Sequence, residues 1–235
     1  MPAARKAPGY RTRFLRLPAF PRPPAPPILR PKRRNLRHPK DKPMLQPNPA
    51  ALDFLLARRS RPAKTLQLPV PTAEQLAPIL TAALRVPDHG KLEPWRLLVL
   101  TKPAMARLAD MAEARARATG GDDQRIAKGR GQFDQGHLAV VVISSPKAQD
   151  KVPDIEQTLS AGAVCLGLVN AAEAAGWGAC WLTGWVSHDR GFAEPAFDLA
   201  PQERVAGIVH IGTEGPTPPE RPRPDVAALT RWLTA

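Results

Sequence analysis

Three clusters in this 235-residue chain combine residue types able to hold an anion or a flat ring system. The first is Arg58-Arg59-Ser60, placed where an apolar helical pattern gives way to a loop. Two guanidinium forks and a hydroxyl suit a phosphate oxyanion, because arginine binds it bidentately with a charge that does not titrate away. Adjacent arginines at a helix C-terminus also complement the helix dipole, so spacing alone leaves both readings open. The second cluster is Arg85, Asp88 and His89, in a turn beside Glu93-Pro94-Trp95. A loop that gathers a cation, a carboxylate, an imidazole and a large ring is a frequent place for function and an equally ordinary surface. The third runs from Gly176 to Trp185, where Trp177, Trp181 and Trp185 alternate with small residues. Such a strand can carry a flat ring, or its tryptophans can belong to the core.

The elements that must position these clusters follow from periodicity. Ala50 to Arg59 predicts a helix with Leu52, Leu55 and Leu56 on one face and Asn48 as its cap. A second helix starts after Thr72, which has capping-box spacing to Gln75, and carries Leu76, Ile79, Leu80 and Ala83 inward. Pro87 and Gly90 prevent its smooth continuation. Trp95 to Thr101 reads as a buried strand, about Ala104 to Ala118 as a helix, and 120 to 136 as a mobile loop with a short helix. Leu138 to Ser144 is a continuous β-branched strand, and Ile155 to Ala175 a central helix buried nearly all round. Strands at Gly178–Leu182 and Val205–Ile211, a short helical turn at Pro201–Arg204 and an amphipathic piece at Val226–Leu233 complete the chain. The last piece can bury little by itself and is suited to wrap a second subunit. Strict βαβ alternation is absent, and no GxGxxG or GxxxxGK[ST] follows a strand, so α+β is favoured over a dinucleotide-binding sheet.

The net charge of +13 first suggests a nucleic-acid partner, but its location decides otherwise. Residues 1–43 hold thirteen Lys and Arg, a single acid (Asp41) and eleven prolines, whereas the remainder is nearly neutral, with 21 basic and 20 acidic residues. Residues 1–47 are therefore expected to be a basic, Pro-rich disordered tail, and 48–235 the folded domain. Three readings of the tail stay open: a solvated extension ahead of Met44, a basic arm for nucleic acid or acidic lipid, and an Arg-rich targeting peptide. No apolar run suggests export or a membrane span, and the expected location is the cytoplasm. Cys165 and Cys180 lie in apolar surroundings, and His38, His89, His137, His188 and His210 are scattered without ligand spacing, so no metal is inferred.

In this order, helix then Arg-Arg-Ser, helix then Arg-x-Pro-Asp-His with Pro-Trp before a strand, a long Ala/Gly helix, Gly-Trp-Gly-x-x-Trp, and a strand ending Ile-Gly-Thr213, the chain resembles the nitroreductase family, and within it the small, minimal branch of NAD(P)H nitroreductases. The resemblance covers about residues 48 to 215. It implies an α+β fold around a mostly antiparallel sheet flanked by helices, a homodimer, and one FMN at each of two interface sites. Carried over residue by residue, Arg58, Arg59 and Ser60 would hold the FMN phosphate and ribityl chain. Arg85 and His89 would complete the flavin site, from the same or the neighbouring subunit, and Trp181, Leu182 and Thr183 would line the ring. The family segment matching Ala171, Ala172, Glu173, Ala174, Ala175 and Gly176 is associated with the nicotinamide nucleotide, although here it reads locally as a helix end. Where many relatives carry an Asn, this chain has the loop Asp88 to Lys91, and only Arg221 and Arg223 can supply the family's basic pair after the last strand. The implied activity is an FMN-dependent oxidoreductase taking electrons from NADH or NADPH and giving them to a nitroaromatic, quinone or similar small oxidant. Reduction of an enal or semialdehyde, dehalogenation, and nucleic-acid binding through the tail are the alternatives.

Overall fold

The computed structural model describes residues 46–149 and 151–234. The basic stretch 1–43, and with it most of the expected tail, lies outside the described residues.

The second strand explains the architecture. β2 (Leu138–Ser144) is buried at every position and apolar up to Ser144, which a strand needs only when both faces are covered. Its alternate residues Ala139, Val141 and Ile143 enter one core, and Leu138, Val140 and Val142 enter another. β2 pairs antiparallel with β1 (Trp95–Thr101) on one side and with β4 (Arg204–Gly212) on the other. β3 (Gly178–Leu182) pairs antiparallel with β4, giving the order β1-β2-β4-β3. The register shifts by one residue between Val142 and Ile143, leaving Ala206 unpaired in β4 as a bulge.

Helices cover both faces. One core gathers Met105 and Leu108 from α3 (Lys102–Ala118), Phe133 from α4 (Asp123–Asp134), Val186 from α6 (Trp185–His188) and Phe192 and Phe197 from α7 (Arg190–Phe197) against Ile208 of the sheet. The other packs Leu76 and Ile79 of α2 (Ala73–Ala83) and Val164 and Leu168 of α5 (Asp154–Ala174) against Val209 and Ile211. α2 begins with the expected capping box, in which Thr72 Oγ1 accepts from Gln75 N while Gln75 Oε1 accepts from Thr72 N. α1 (Pro49–Ala57) is capped by Asn48, and α8 (Val226–Leu229) is a single turn near the C-terminus.

Several expectations are corrected. β1 is an edge strand with most residues half-buried rather than a buried strand. The short helix expected within a mobile loop at 120 to 136 is a three-turn helix filling most of that stretch, residues 123–134, because Asp122 caps it and Ile126, Gly129 and Phe133 bury one face. Gly129 admits the Trp185 indole so closely that a Cβ there would collide with the ring. α5 is not buried all round, since Ile155, Leu159 and Leu166 remain exposed. Residues 201–203 form a turn rather than a helix, and α6 and α7, absent from the sequence reading, fill the preceding stretch. Leu52, Leu55 and Leu56 form a face that this protomer leaves exposed, as it does Val226, Leu229, Trp232 and Leu233.

Candidate functional site

The arginine triplet is held against the β3 edge of the sheet. α1 ends at Arg58, and the chain then runs beside β3 and β4, with Arg61 N donating to Ala179 O (2.8 Å) and Gln67 exchanging backbone bonds with Thr213 (both 2.9 Å). This close approach needs small residues on the sheet side. A Cβ on Gly178 would meet Leu66 Cδ2 at 2.7 Å, and one on Gly212 would meet Gln67 O at 3.0 Å.

Each arginine in the loop has its own surroundings. Arg58 Nε donates to Glu173 Oε2 (3.0 Å) and its Nη2 to Ser60 Oγ (3.2 Å). Arg59 Nη1 lies 3.2 Å from Glu220 Oε2, an ion pair without hydrogen-bond geometry. Arg61 Nε donates to Glu214 Oε1 (2.6 Å), and its Nη1 donates to the Arg59 carbonyl (2.8 Å). Arg58, Arg59, Arg61, Glu173 and Glu214, with Trp177 and Gly178, line a cleft of about 230 Å³, and Ser60 stands outside its lining, touching it through Arg58. Three guanidinium groups meet at this cleft, and Arg59 has only the exposed Glu220 carboxylate beside it, so a bound oxyanion would find charge-assisted donors here. The donor set therefore fits a phosphate group.

At the other end of β3, Leu182, Thr183, Gly184 and Trp185 line a second cleft, of about 590 Å³, together with one face of α4. Gln124, Ala127, Lys128, Gly131, Gln132 and Gln135 recur at the three- and four-residue spacing of that face. Gln132 lays its amide against Gly184, where a Cβ would meet its Cδ at 3.0 Å, and Gln132 Oε1 is buried without a partner. The segment from Ala179 to Thr183, at about 3.3 Å per residue, separates the two clefts by roughly 13 Å.

The three tryptophans divide their tasks. Trp177 packs into the second core. Trp185 donates from Nε1 to Arg125 O (3.0 Å), and the Arg125 guanidinium lies 4.3 Å over its ring, tying α4 to α6. Trp181 alone is open, at 42% exposure, and its indole lies across Gly207, where no side chain could be accommodated without moving it.

Arg85 and His89 do not join this arrangement within one protomer. They precede β1, the opposite edge of the sheet, and three strand spacings of about 4.8 Å separate β1 from β3. Arg85 borders a separate open cleft of about 980 Å³ with Asp88, Lys91, Trp95 and Lys147, and His89 Nδ1 lies 2.7 Å from Glu156 Oε2. Asp88 accepts from Leu92 N and Glu93 N, which fixes the turn. Arg223 donates to the Leu56 carbonyl (3.1 Å) and pairs with Glu220, beside the triplet.

The segment Ala171 to Gly176 is the last turn of α5 and its exit. Ala172 is buried in the second core, Glu173 turns to Arg58, Ala174 and Ala175 are exposed, and Gly176 adopts φ 84°, which ends the helix. Sequence reasoning missed Arg61, although it adjoins the triplet, and missed Lys128 and Gln132, whose i, i+4 spacing lies in the stretch read as a loop with a short helix. Among the described residues no group of His, Cys, Asp and Glu is placed to hold a metal ion, and no helix is long and apolar enough to cross a membrane.

Comparison with known proteins gives a consistent result. The model of the Nitroreductase family matches residues 55–213. The Escherichia coli (strain K12) protein named "Putative NAD(P)H nitroreductase YdjA" is 36% identical over 163 residues, covering 69% of this chain and 87% of its own length. A Haemophilus influenzae protein named "Putative NAD(P)H nitroreductase" is 36% identical over 165 residues, covering 69% and 88%. Among solved structures, a nitroreductase-like family protein from Bacillus cereus superimposes with a TM-score of 0.64 at 19% identity, covering 81% of this chain and 99% of that one. A nitroreductase with bound FMN from Bacteroides fragilis gives 0.61 at 18% identity, covering 78% and 98%. Iodotyrosine deiodinase bound to FMN and 3-iodo-L-tyrosine gives 0.57 at 18% identity, covering 78% and 99%.

Proposed function

The chain belongs to the nitroreductase family of enzymes, and from that premise we propose that it is an FMN-dependent NAD(P)H oxidoreductase acting as a homodimer. The observation that carries the proposal is the placement of two complementary clefts along one edge strand. The loop Arg58 to Arg61, whose three guanidinium groups line a cleft, stands at one end of β3, and an open cleft stands at the other. A ribityl chain links a phosphate to a flat ring over a span of this order.

In this reading Arg58, Arg59 and Ser60 hold the phosphate, while Trp181, Leu182 and Thr183 border the ring. When bound, FMN supplies the redox chemistry, taking a hydride from NADH or NADPH and passing electrons to a nitroaromatic, quinone or similar small oxidant. The protein's own tasks are to grip, orient and complement charge. Lys128, on the α4 face of this cleft, would supply a positive charge to complement a reduced, anionic flavin ring held there. Gln132, packed on Gly184, offers an amide to the same space.

A homodimer reconciles the two edges of the sheet. Arg85 and His89 lie too far from the triplet to share its site in one protomer, so they serve a flavin only across an interface. The exposed leucine face of α1, the stripe of Ile155, Leu159 and Leu166 on α5, and the apolar C-terminal segment are the surfaces that such an interface would cover. The test is oxidation of NADH and NADPH by the purified, FMN-loaded protein with a nitroarene or quinone as acceptor. Turnover that depends on both donor and acceptor is expected, and a loaded protein inert to every such pair would refute the assignment. Running enals, semialdehydes and halogenated aromatics as acceptors in the same assay distinguishes the neighbouring reactions.

A further inference from the structure

The phosphate loop contains an expense that the proposed activity does not by itself explain. Glu173 lies in the last turn of α5, where the helix dipole disfavours a carboxylate, and its side chain is only 10% exposed. Oε1 is buried without a hydrogen-bond partner, and desolvation pushes the acid upward while Arg58 opposes the shift. Such a pair adds little net stability compared with neutral residues of similar shape. What it does fix is direction. Glu173 takes Arg58 by Nε, at 3.0 Å, and Ser60 Oγ takes Nη2, so the two contacts together fix the plane of the guanidinium at the wall of the cleft that Arg58 and Glu173 both line.

The other side of the loop repeats the device. Glu214 holds Arg61 by Nε, and Arg61 Nη1 in turn grips the carbonyl of Arg59. The triplet is thus braced by two carboxylates, one through a side chain and one through the backbone.

We propose that Glu173 is a positioning residue of the phosphate grip, acting through Arg58 and not through contact with the nicotinamide nucleotide. The proposal rests on the FMN reading above. Its signature is selectivity for the phosphate: FMN affinity depends on Glu173, and affinity for riboflavin, which has the same ring and ribityl chain without the phosphate, does not.

The test is titration of the full-length, flavin-stripped protein with FMN and with riboflavin, followed by flavin fluorescence. Glu173→Gln, nearly the same shape, should weaken FMN binding about tenfold, leave riboflavin binding unchanged, and have no further effect in an Arg58→Ala background. Arg58→Lys keeps the charge but lacks the Nε anchor, and should show the same selective loss even if Glu173→Gln folds poorly. Equal weakening of both flavins would mean a purely structural role and overturn the proposal. Unchanged FMN affinity together with a raised KM for NADH or NADPH would overturn it in favour of a nicotinamide contact. A wild-type protein that binds neither flavin would overturn the FMN reading itself, and the proposal with it.

Discussion

Replacing Leu159 by Ala tests whether the two edges of the sheet are brought together by a second copy of the chain. Leu159 sits in the middle of the α5 stripe and is 65% exposed in the protomer, with Ile155 and Leu166 on the same face. Removing most of a leucine side chain from an interface forfeits about 2 kcal/mol of apolar burial. In a symmetric dimer the stripe meets itself or its counterpart twice, so the loss is about 4 kcal/mol per dimer. At 1.4 kcal/mol per tenfold, that weakens the dimer by about a thousandfold. The folded protomer should be little affected, because the residue contributes to neither of its cores. Sedimentation velocity over a concentration series, with FMN absorbance recorded in the same cell, measures dissociation and cofactor retention together. On the proposed shared site, with Arg85 and His89 supplied by a second copy, FMN should leave as the dimer dissociates. A variant that dissociates yet retains FMN with unchanged affinity would refute the shared site. One whose association is unchanged would show that α5 does not form the interface.

Further outcomes follow from individual contacts. Arg59→Ala should weaken FMN binding by about ten- to a hundredfold, the worth of one charge-assisted bond of about 1.5 to 3 kcal/mol, as read by fluorescence titration. Lys128→Met should lower the two-electron potential of the bound flavin by about 30 mV for each 1.4 kcal/mol of lost stabilisation of the reduced form, measured by dye equilibration. His210 is fully buried in β4, and burial, opposed by the nearby Gln132 backbone, lowers its pKa to about 4. The folded state therefore resists a proton that the unfolded chain accepts near the ordinary value of 6.5. The contribution is complete above about pH 6.5, declines by about 3 kcal/mol as pH falls toward 4, and levels off below. Denaturant unfolding of the wild type and His210→Leu across that range should show this acid limb only in the wild type.

How much of this was readable in the sequence depended on how local the signal was. The Thr72 to Gln75 capping box, the β-branched run of β2 and the Asn48 cap are carried by adjacent residues, and each formed as its pattern requires. α4 is longer than the short helix its sequence suggests, because Gly129 and Gly131 weaken a helix on propensity. It forms because Gly129 accommodates Trp185, a partner 56 residues further along the chain. α5 misled in the opposite way, since an all-round apolar helix can be buried by its own chain or by another, and composition does not distinguish the two. At the site, Arg58, Arg59 and Ser60 were visible as a donor cluster. That Glu173 and Glu214 brace it was not, because those residues lie more than a hundred positions away and meet the loop only after β3 and β4 are in place.

The central claim is that this chain holds FMN along β3, and the flavin content of the purified full-length protein tests it most directly. The account predicts a yellow protein that releases one FMN per chain on denaturation, or a stripped protein that takes up one equivalent of FMN. A colourless protein that fails to take up added FMN would contradict it.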